Sequence, residues 1–252
     1  MLRLNLSPRV SWLVIALAAG LSPHTAAAIS NSSQGQPRAF TEDEPGGLAE
    51  ARQLNNRALT LDKTGRSEDA ERLYKQSLEL IQATVGPDHP AMAAALTNLA
   101  SLYQHEGRFA DAEALYKRSL AIASGAARPD ALALAFSSNN LALLYADQHR
   151  YREAEQLFKR ALPLMEGRLG REHPAVAAIL DNMASMYRDC GEYGEAERLY
   201  NESLAILVNT AGRDSPAAAK TLENLQRLHQ LERPVQPDEG TDAAPGGRCN
   251  AP

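Results

Sequence analysis

Cysteine is almost absent from this chain, with Cys190 and Cys249 the only two. Two thiols cannot frame a disulfide-built scaffold, so the core has to come from packing; an oxidising compartment would permit one bridge or one link between chains. Aromatic residues are scarce at 5%, and Trp12 is the only tryptophan, which leaves Leu, Ala and Tyr to fill the interior. Basic charge is not in excess either. A formal net charge of −5 does not supply the basic surface that phosphate binding requires, so a nucleic-acid role is disfavoured. The apolar run from Val10 to Leu21 falls well short of the roughly 20 residues that span a bilayer. Zinc-ligand spacing, a nucleotide loop and a serine elbow are missing as well, which removes the common catalytic constellations.

What the N-terminus does contain is Arg3 and Arg9, then that short apolar run, then the small residues Thr25-Ala26-Ala27-Ala28. This is the pattern of a secretory signal peptide over residues 1–28, cleaved after Ala28, and it predicts a periplasmic or secreted protein. No cysteine follows the run, so a lipid anchor is not expected. Cleavage would remove Arg3 and Arg9 and no acidic residue, leaving a more acidic mature chain without a membrane span. Residues 29–47 are polar with Gly and Pro and predict a disordered linker; residues 232–252, rich in Pro, Gly, Asp and Glu, predict a disordered tail.

Between them the chain copies itself. Asn98-Leu99-Ala100-Ser101-Leu102-Tyr103 recurs 42 residues on as Asn140-Leu141-Ala142-Leu143-Leu144-Tyr145, and again as Asn182-Met183-Ala184-Ser185-Met186-Tyr187. The same register holds Asn56 and Asn224, with no insertion or deletion. A fixed period of this size means stacked supersecondary units, each touching its neighbours, over residues 48–231.

Each unit reads as two amphipathic helices. Leu96, Leu99, Ala100 and Tyr103 share one face by their i, i+3, i+4, i+7 spacing, as do Ala112, Leu115, Tyr116 and Ser119 in the next segment. Gly65, Gly107 and Gly191 suit the left-handed residue that ends a helix, and His149 holds that place in the third unit at a steric cost. Ala100, Ala142 and Ala184, with Ala70, Ala112, Ala154 and Ala196, let paired backbones come close. Between units, Gly86-Pro87-Asp88-His89-Pro90 and Gly170-Arg171-Glu172-His173-Pro174 end one helix and start another, so the two histidines read as caps rather than metal ligands. The pairs Glu71–Lys75, Glu113–Lys117 and Glu155–Lys159 read as a solvated outer face worth about 0.2–0.5 kcal/mol each, and Pro163 is expected to bend its helix. The fifth copy has only a first helix, with Gln226 in place of the small Ala and His229 in place of Tyr, as a polar terminal cap would.

These residues, with Gly107-Arg108-Phe109-Ala110-Asp111-Ala112-Glu113-Ala114-Leu115-Tyr116-Lys117-Arg118-Ser119-Leu120 and the Gly-Pro-Asp-His-Pro link, resemble tetratricopeptide repeats of the kinesin-light-chain type found in bacterial exported proteins. The resemblance implies an all-α fold, a right-handed α-solenoid of four helix-turn-helix repeats plus a C-terminal capping helix. It also implies a concave groove, lined by the first helix of each pair, that binds a peptide or protein segment. Carried over by position, that groove would contain Asn56, Asn98, Asn140, Asn182 and Asn224, with Asn55, Thr97, Asn139 and Asp181 just before them, and Ser101, Gln104, Ser185, Arg188 and Arg227 further along. Few bases stand there, so a carboxylate-terminated chaperone tail is not the expected ligand.

The leading expectation is therefore a noncatalytic scaffold for a protein or peptide partner, acting outside the cytoplasm without a cofactor. A self-assembling structural protein cross-linked through Cys249 is one alternative, and an enzyme whose site is assembled across repeats is another. Asn inside a helix is less favourable than Ala, by up to about 0.7 kcal/mol, so a column of five asks for compensation. Hydrogen bonds between neighbouring first helices and recognition of a ligand backbone would both provide it.

Overall fold

The computed structural model describes residues 45–125, 130–232 and Cys249. Among these residues the chain is all-helical. The helices are α1 (Gly46–Lys63), α2 (Ser67–Val85), α3 (Pro90–His105), α4 (Phe109–Gly125), α5 (Ala131–Asp147), α6 (Tyr151–Leu169), α7 (Pro174–Cys190), α8 (Tyr193–Ala211) and α9 (Pro216–Glu232). They form four antiparallel pairs and a lone last helix. The first helix opens at Gly46, slightly ahead of the expected start, and the proposed leader lies outside the described residues.

The small alanines explain the tightness of the pairs. Ala70, Ala100, Ala112, Ala142, Ala154, Ala184 and Ala196 are all fully buried, each giving a neighbouring backbone room to approach. Tyr74, Tyr116, Phe158 and Tyr200 fill the equivalent place in each second helix. Consecutive first helices (α1, α3, α5, α7, α9) also pack on one another, whereas consecutive second helices meet at most marginally. An array that is closer-packed along one row than the other must curve, with the first helices on its inner wall.

Helix ends follow the local chemistry. His89 and His173 accept from the backbone N–H of Ala91 (3.2 Å) and Ala175 (3.1 Å) through Nδ1, and proline follows each as the first helical residue. Both are caps. Burial pushes the His173 imidazole down, which favours the neutral form that this acceptor role requires. Asp130 caps α5 through Leu132 in the same way. Pro163 does not end α6, which runs unbroken from Tyr151 to Leu169.

His149 is the only non-glycine residue with positive φ among those described, at 59°, where the other repeats place Gly65, Gly107 and Gly191. A left-handed conformation costs an L-residue roughly 1–2 kcal/mol. A 2.7 Å hydrogen bond between His149 Nδ1 and the Tyr151 hydroxyl, and an edge contact between the rings, offset part of this. His149→Gly is therefore expected to raise the melting temperature by about 1–3 °C. A lower melting temperature in thermal denaturation would show that the Tyr151 contact outweighs the strain.

Candidate functional site

Adjacent residues in a helix lie about 100° apart, so the Asn column and the residue before it cannot share a surface. The structure separates them accordingly. Asn98, Asn140 and Asn182 are half-buried and Asn56 is exposed, whereas Asn139 is completely buried and Asp181 nearly so. The position before the column turns into the seam between helices, where Thr97 Oγ1 meets Ser119 Oγ at 3.0 Å and Asp181 Oδ2 accepts from Thr221 Oγ1 at 2.8 Å.

Nine of the groove residues expected from the sequence thus fall into two groups. Asn56, Asn98, Asn140, Asn182, Ser101 and Arg188 reach the surface at least in part. Asn139, Gln104 and Asn224 are buried, so they serve packing and cannot line a groove as expected. Gln104 is occupied at both ends, accepting from Tyr116 Oη at 3.2 Å and donating to Asp147 Oδ2 on the next first helix. Arg188 keeps its guanidinium against Asp189 and the Tyr200 hydroxyl. Sequence reasoning missed the signal that Gln104 carried: where α6 has Phe158 instead of Tyr, the Gln104 counterpart is Ala146, because no hydroxyl needs a partner.

The asparagines use only part of their hydrogen-bonding capacity. Asn182 Nδ2 donates to Asn139 Oδ1 (3.0 Å), and Asn139 Nδ2 donates to Asn140 Oδ1 (3.2 Å), so an amide chain links α5 and α7. The Asn98 side chain has no such partner among the described residues. Asp147, the last residue of α5, keeps part of its surface open to solvent while its carboxylate packs against Gln104. Burial pushes its carboxyl up, with the like charge of Asp189 adding to that, while the Gln104 hydrogen bond opposes it.

The opposite side carries a set of clasps, and here the expected solvated Glu–Lys face needs correction. Tyr103, Tyr145 and Tyr187 donate to Glu71 (2.7 Å), Glu113 (3.1 Å) and Glu155 (2.6 Å), each tying one second helix to the next first helix. Arg108 and Arg150 add ion pairs to Glu71 (3.2 Å) and Glu113 (2.8 Å) and lay their guanidinium groups 3.6 and 3.8 Å from the Tyr103 and Tyr145 ring centres. These glutamates are only about one-fifth exposed. Lys75 leads in holding Glu71 below the ordinary carboxylate range; for Glu113, burial pulls upward but Lys117, Arg150 and Tyr145 outweigh it. In the terminal helix His229 Nε2 meets Glu197 at 3.0 Å, so the substitution that marked a cap preserves the link. Period and pattern could not show this, since partners 32 residues apart meet only after the pairs stack.

Ser77, Ser119 and Ser203 bolt three of the four pairs internally, donating to the carbonyls of Ala51 (2.7 Å), Ala93 (3.0 Å) and Ala177 (3.0 Å), while α6 has Ala161 at that place. The two cysteines are joined within the chain, Cys190 to Cys249, with Cα atoms 5.4 Å apart. The interchain link that a self-assembling protein would draw from Cys249 therefore has no thiol left to use.

A model of the tetratricopeptide repeat matches residues 48–125, 91–167, 133–207 and 175–234. The chain belongs to the tetratricopeptide-repeat family. Repeats of this family mediate protein–protein interaction. Among solved structures, this family member is similar to two from Podosopora anserina described as a kinesin light chain with nearly identical TPR-like repeats. One is 24% identical (TM-score 0.62) and covers 73% of this chain and 86% of that one; the other is 25% identical (TM-score 0.61) and covers 75% and 88%. BtubC (BKLC) from P. vanneervenii is 20% identical, with TM-score 0.56, over 88% of this chain and 98% of that one. These likenesses establish the solenoid fold. No curated protein matches the sequence. Among the described residues no helix is long and apolar enough to cross a membrane.

Proposed function

We propose that this tetratricopeptide-repeat protein is a noncatalytic scaffold that holds an extended peptide or protein segment along the first helices, outside the cytoplasm. The observation that carries this reading is the row Asn56, Asn98, Asn140 and Asn182, which reaches the surface of the inner wall with amide donors and acceptors to spare. An amide matches a peptide backbone, one donor and one acceptor to each ligand residue. The signal-like N-terminus supports export, and so does a disulfide, which persists in oxidising compartments.

The asparagines are expected to differ in effect. Asn98→Ala removes no side-chain hydrogen bond among the described residues, so it should weaken partner binding, by up to about tenfold for one lost hydrogen bond, with melting unchanged. Asn182→Ala breaks the bond to Asn139 and should lower both. Affinity capture from a periplasmic or secreted extract, followed by titration of the captured partner, makes the comparison. Wild-type affinity in Asn98→Ala would leave the column with a structural role. Export has its own readout: cleavage after Ala28 removes Trp12, so the exported product should show no indole emission, and a tryptophan peak would refute cleavage there.

A further inference from the structure

The clasp is incomplete at one junction. Between α2 and α3, Glu71 Oε1 accepts from the Tyr103 hydroxyl (2.7 Å) and from Lys75 (2.7 Å), while Glu71 Oε2 takes Arg108 (3.2 Å). Between α4 and α5, Glu113 divides its oxygens in the same way, with Tyr145 (3.1 Å) and Lys117 (2.6 Å) on Oε1 and Arg150 (2.8 Å) on Oε2. Between α6 and α7, Glu155 Oε1 again holds Tyr187 (2.6 Å) and Lys159 (2.7 Å), but Oε2 has no partner among the described residues. The residue in the register of Arg108 and Arg150 is Glu192, which reverses the charge there. A cleft of about 400 Å³ opens at this junction, bordered by Glu155, Lys159, Tyr187, Glu192, Arg198 and Cys249.

We propose that this cleft is a binding site for an arginine side chain of a partner protein, whose guanidinium pairs with Glu155 Oε2 and Glu192 and lies on the Tyr187 ring. Three observations favour this occupant. The molecule itself holds a guanidinium in this arrangement twice, with Arg108 and Arg150 on a glutamate Oε2 and 3.6 and 3.8 Å from a tyrosine ring centre. Charge points the same way: Lys159 is engaged by Glu155, and Arg198 by Glu195 (3.0 Å) and Glu202 (3.3 Å), so the Glu192 carboxylate is left over for a cation. Arginine fits better than lysine, because a planar guanidinium can stack on the ring and reach a carboxylate at once, whereas an ammonium is a point charge. A partner protein is the source, in keeping with a family whose repeats mediate protein–protein interaction. The cleft lies on the side opposite the Asn row, so it is a second contact surface and does not depend on the groove.

The test titrates the oxidised full-length chain with blocked glycine peptides carrying a single arginine, lysine or citrulline, and follows the Tyr187 ring by NMR. The arginine peptide should shift the ring signals and bind several-fold more tightly than the lysine peptide; citrulline, which keeps the shape without the charge, should bind least. Glu192→Arg supplies the missing guanidinium from within the repeat, so it should abolish the shift and raise the melting temperature. Glu192→Gln should weaken arginine binding several-fold, and circular dichroism checks that both variants keep their helix content. Equal binding of the arginine and citrulline peptides, no binding of either, or undiminished arginine binding in Glu192→Arg would overturn the proposal. So would binding that appears only in Arg233→Gln/Arg248→Gln, because the place would then belong to an arginine of the chain's own tail.

Discussion

Replacing Asp181 by Asn is expected to raise the melting temperature at pH 8 by roughly 4–10 °C, and the gain should vanish as the pH falls toward 4. Asp181 is almost fully buried, with Oδ2 bonded to Thr221 and Oδ1 without a partner. Burial raises its carboxyl to about 6, against the hydrogen bond from Thr221. A folded-state value above the unfolded one means that the folded protein holds the proton more tightly. The stabilisation is complete below about pH 3.8 and is lost as pH rises through about 6, which makes ionisation inside the fold cost about 3 kcal/mol at neutral pH. Asn carries no charge to desolvate, and its counterpart Asn139 shows where the amide goes: onto the next residue's carbonyl oxygen, here Asn182 Oδ1. Melting curves of both proteins between pH 4 and 8 decide it. Parallel curves would mean that Asp181 titrates normally.

Deleting residues 216–231, all but the last residue of α9, should cause aggregation or a fall in melting temperature of 10 °C or more. Leu225 and Leu228 are buried against the preceding pair together with Ala217 and Ala218, and the two leucines alone contribute about 3–6 kcal/mol of burial. In a one-dimensional stack, that loss uncovers the apolar face of α7 and α8 rather than only removing a helix. The milder Leu228→Ala keeps the helix and should cost about 2–5 kcal/mol, mostly as a cavity. Light scattering and thermal melting read the two effects. A deletion variant that melts like the full chain would show that α9 is not a working cap.

Helix pairs, caps and small-residue contacts were legible in the sequence because they depend on neighbours within a few residues or one repeat. Gly and His at helix ends, Pro after His89 and His173, and the buried alanine columns all took the places their local physics assigned. Side-chain direction was harder. Asn139 and Asp181 were assigned to the groove beside the Asn column, but a step of about 100° carries them into the seam, where a buried polar group must find a partner.

By itself the sequence determined the repeat, its helices and its length, because a 42-residue period without insertions admits only stacking of like units. Only the tertiary structure decided which polar residues face solvent and which lock the stack. Glu71 looked like one half of an exposed pair with Lys75 until stacking brought Tyr103 and Arg108 onto it from the next repeat. Cys190 and Cys249 left a bridge or an interchain link open in the sequence, and the fold joins the two to each other at the end of α7. Both cases share a physical cause: periodicity fixes how each unit repeats, but a contact between units depends on the rotation and rise from one pair to the next, which side-chain packing sets after the helices exist.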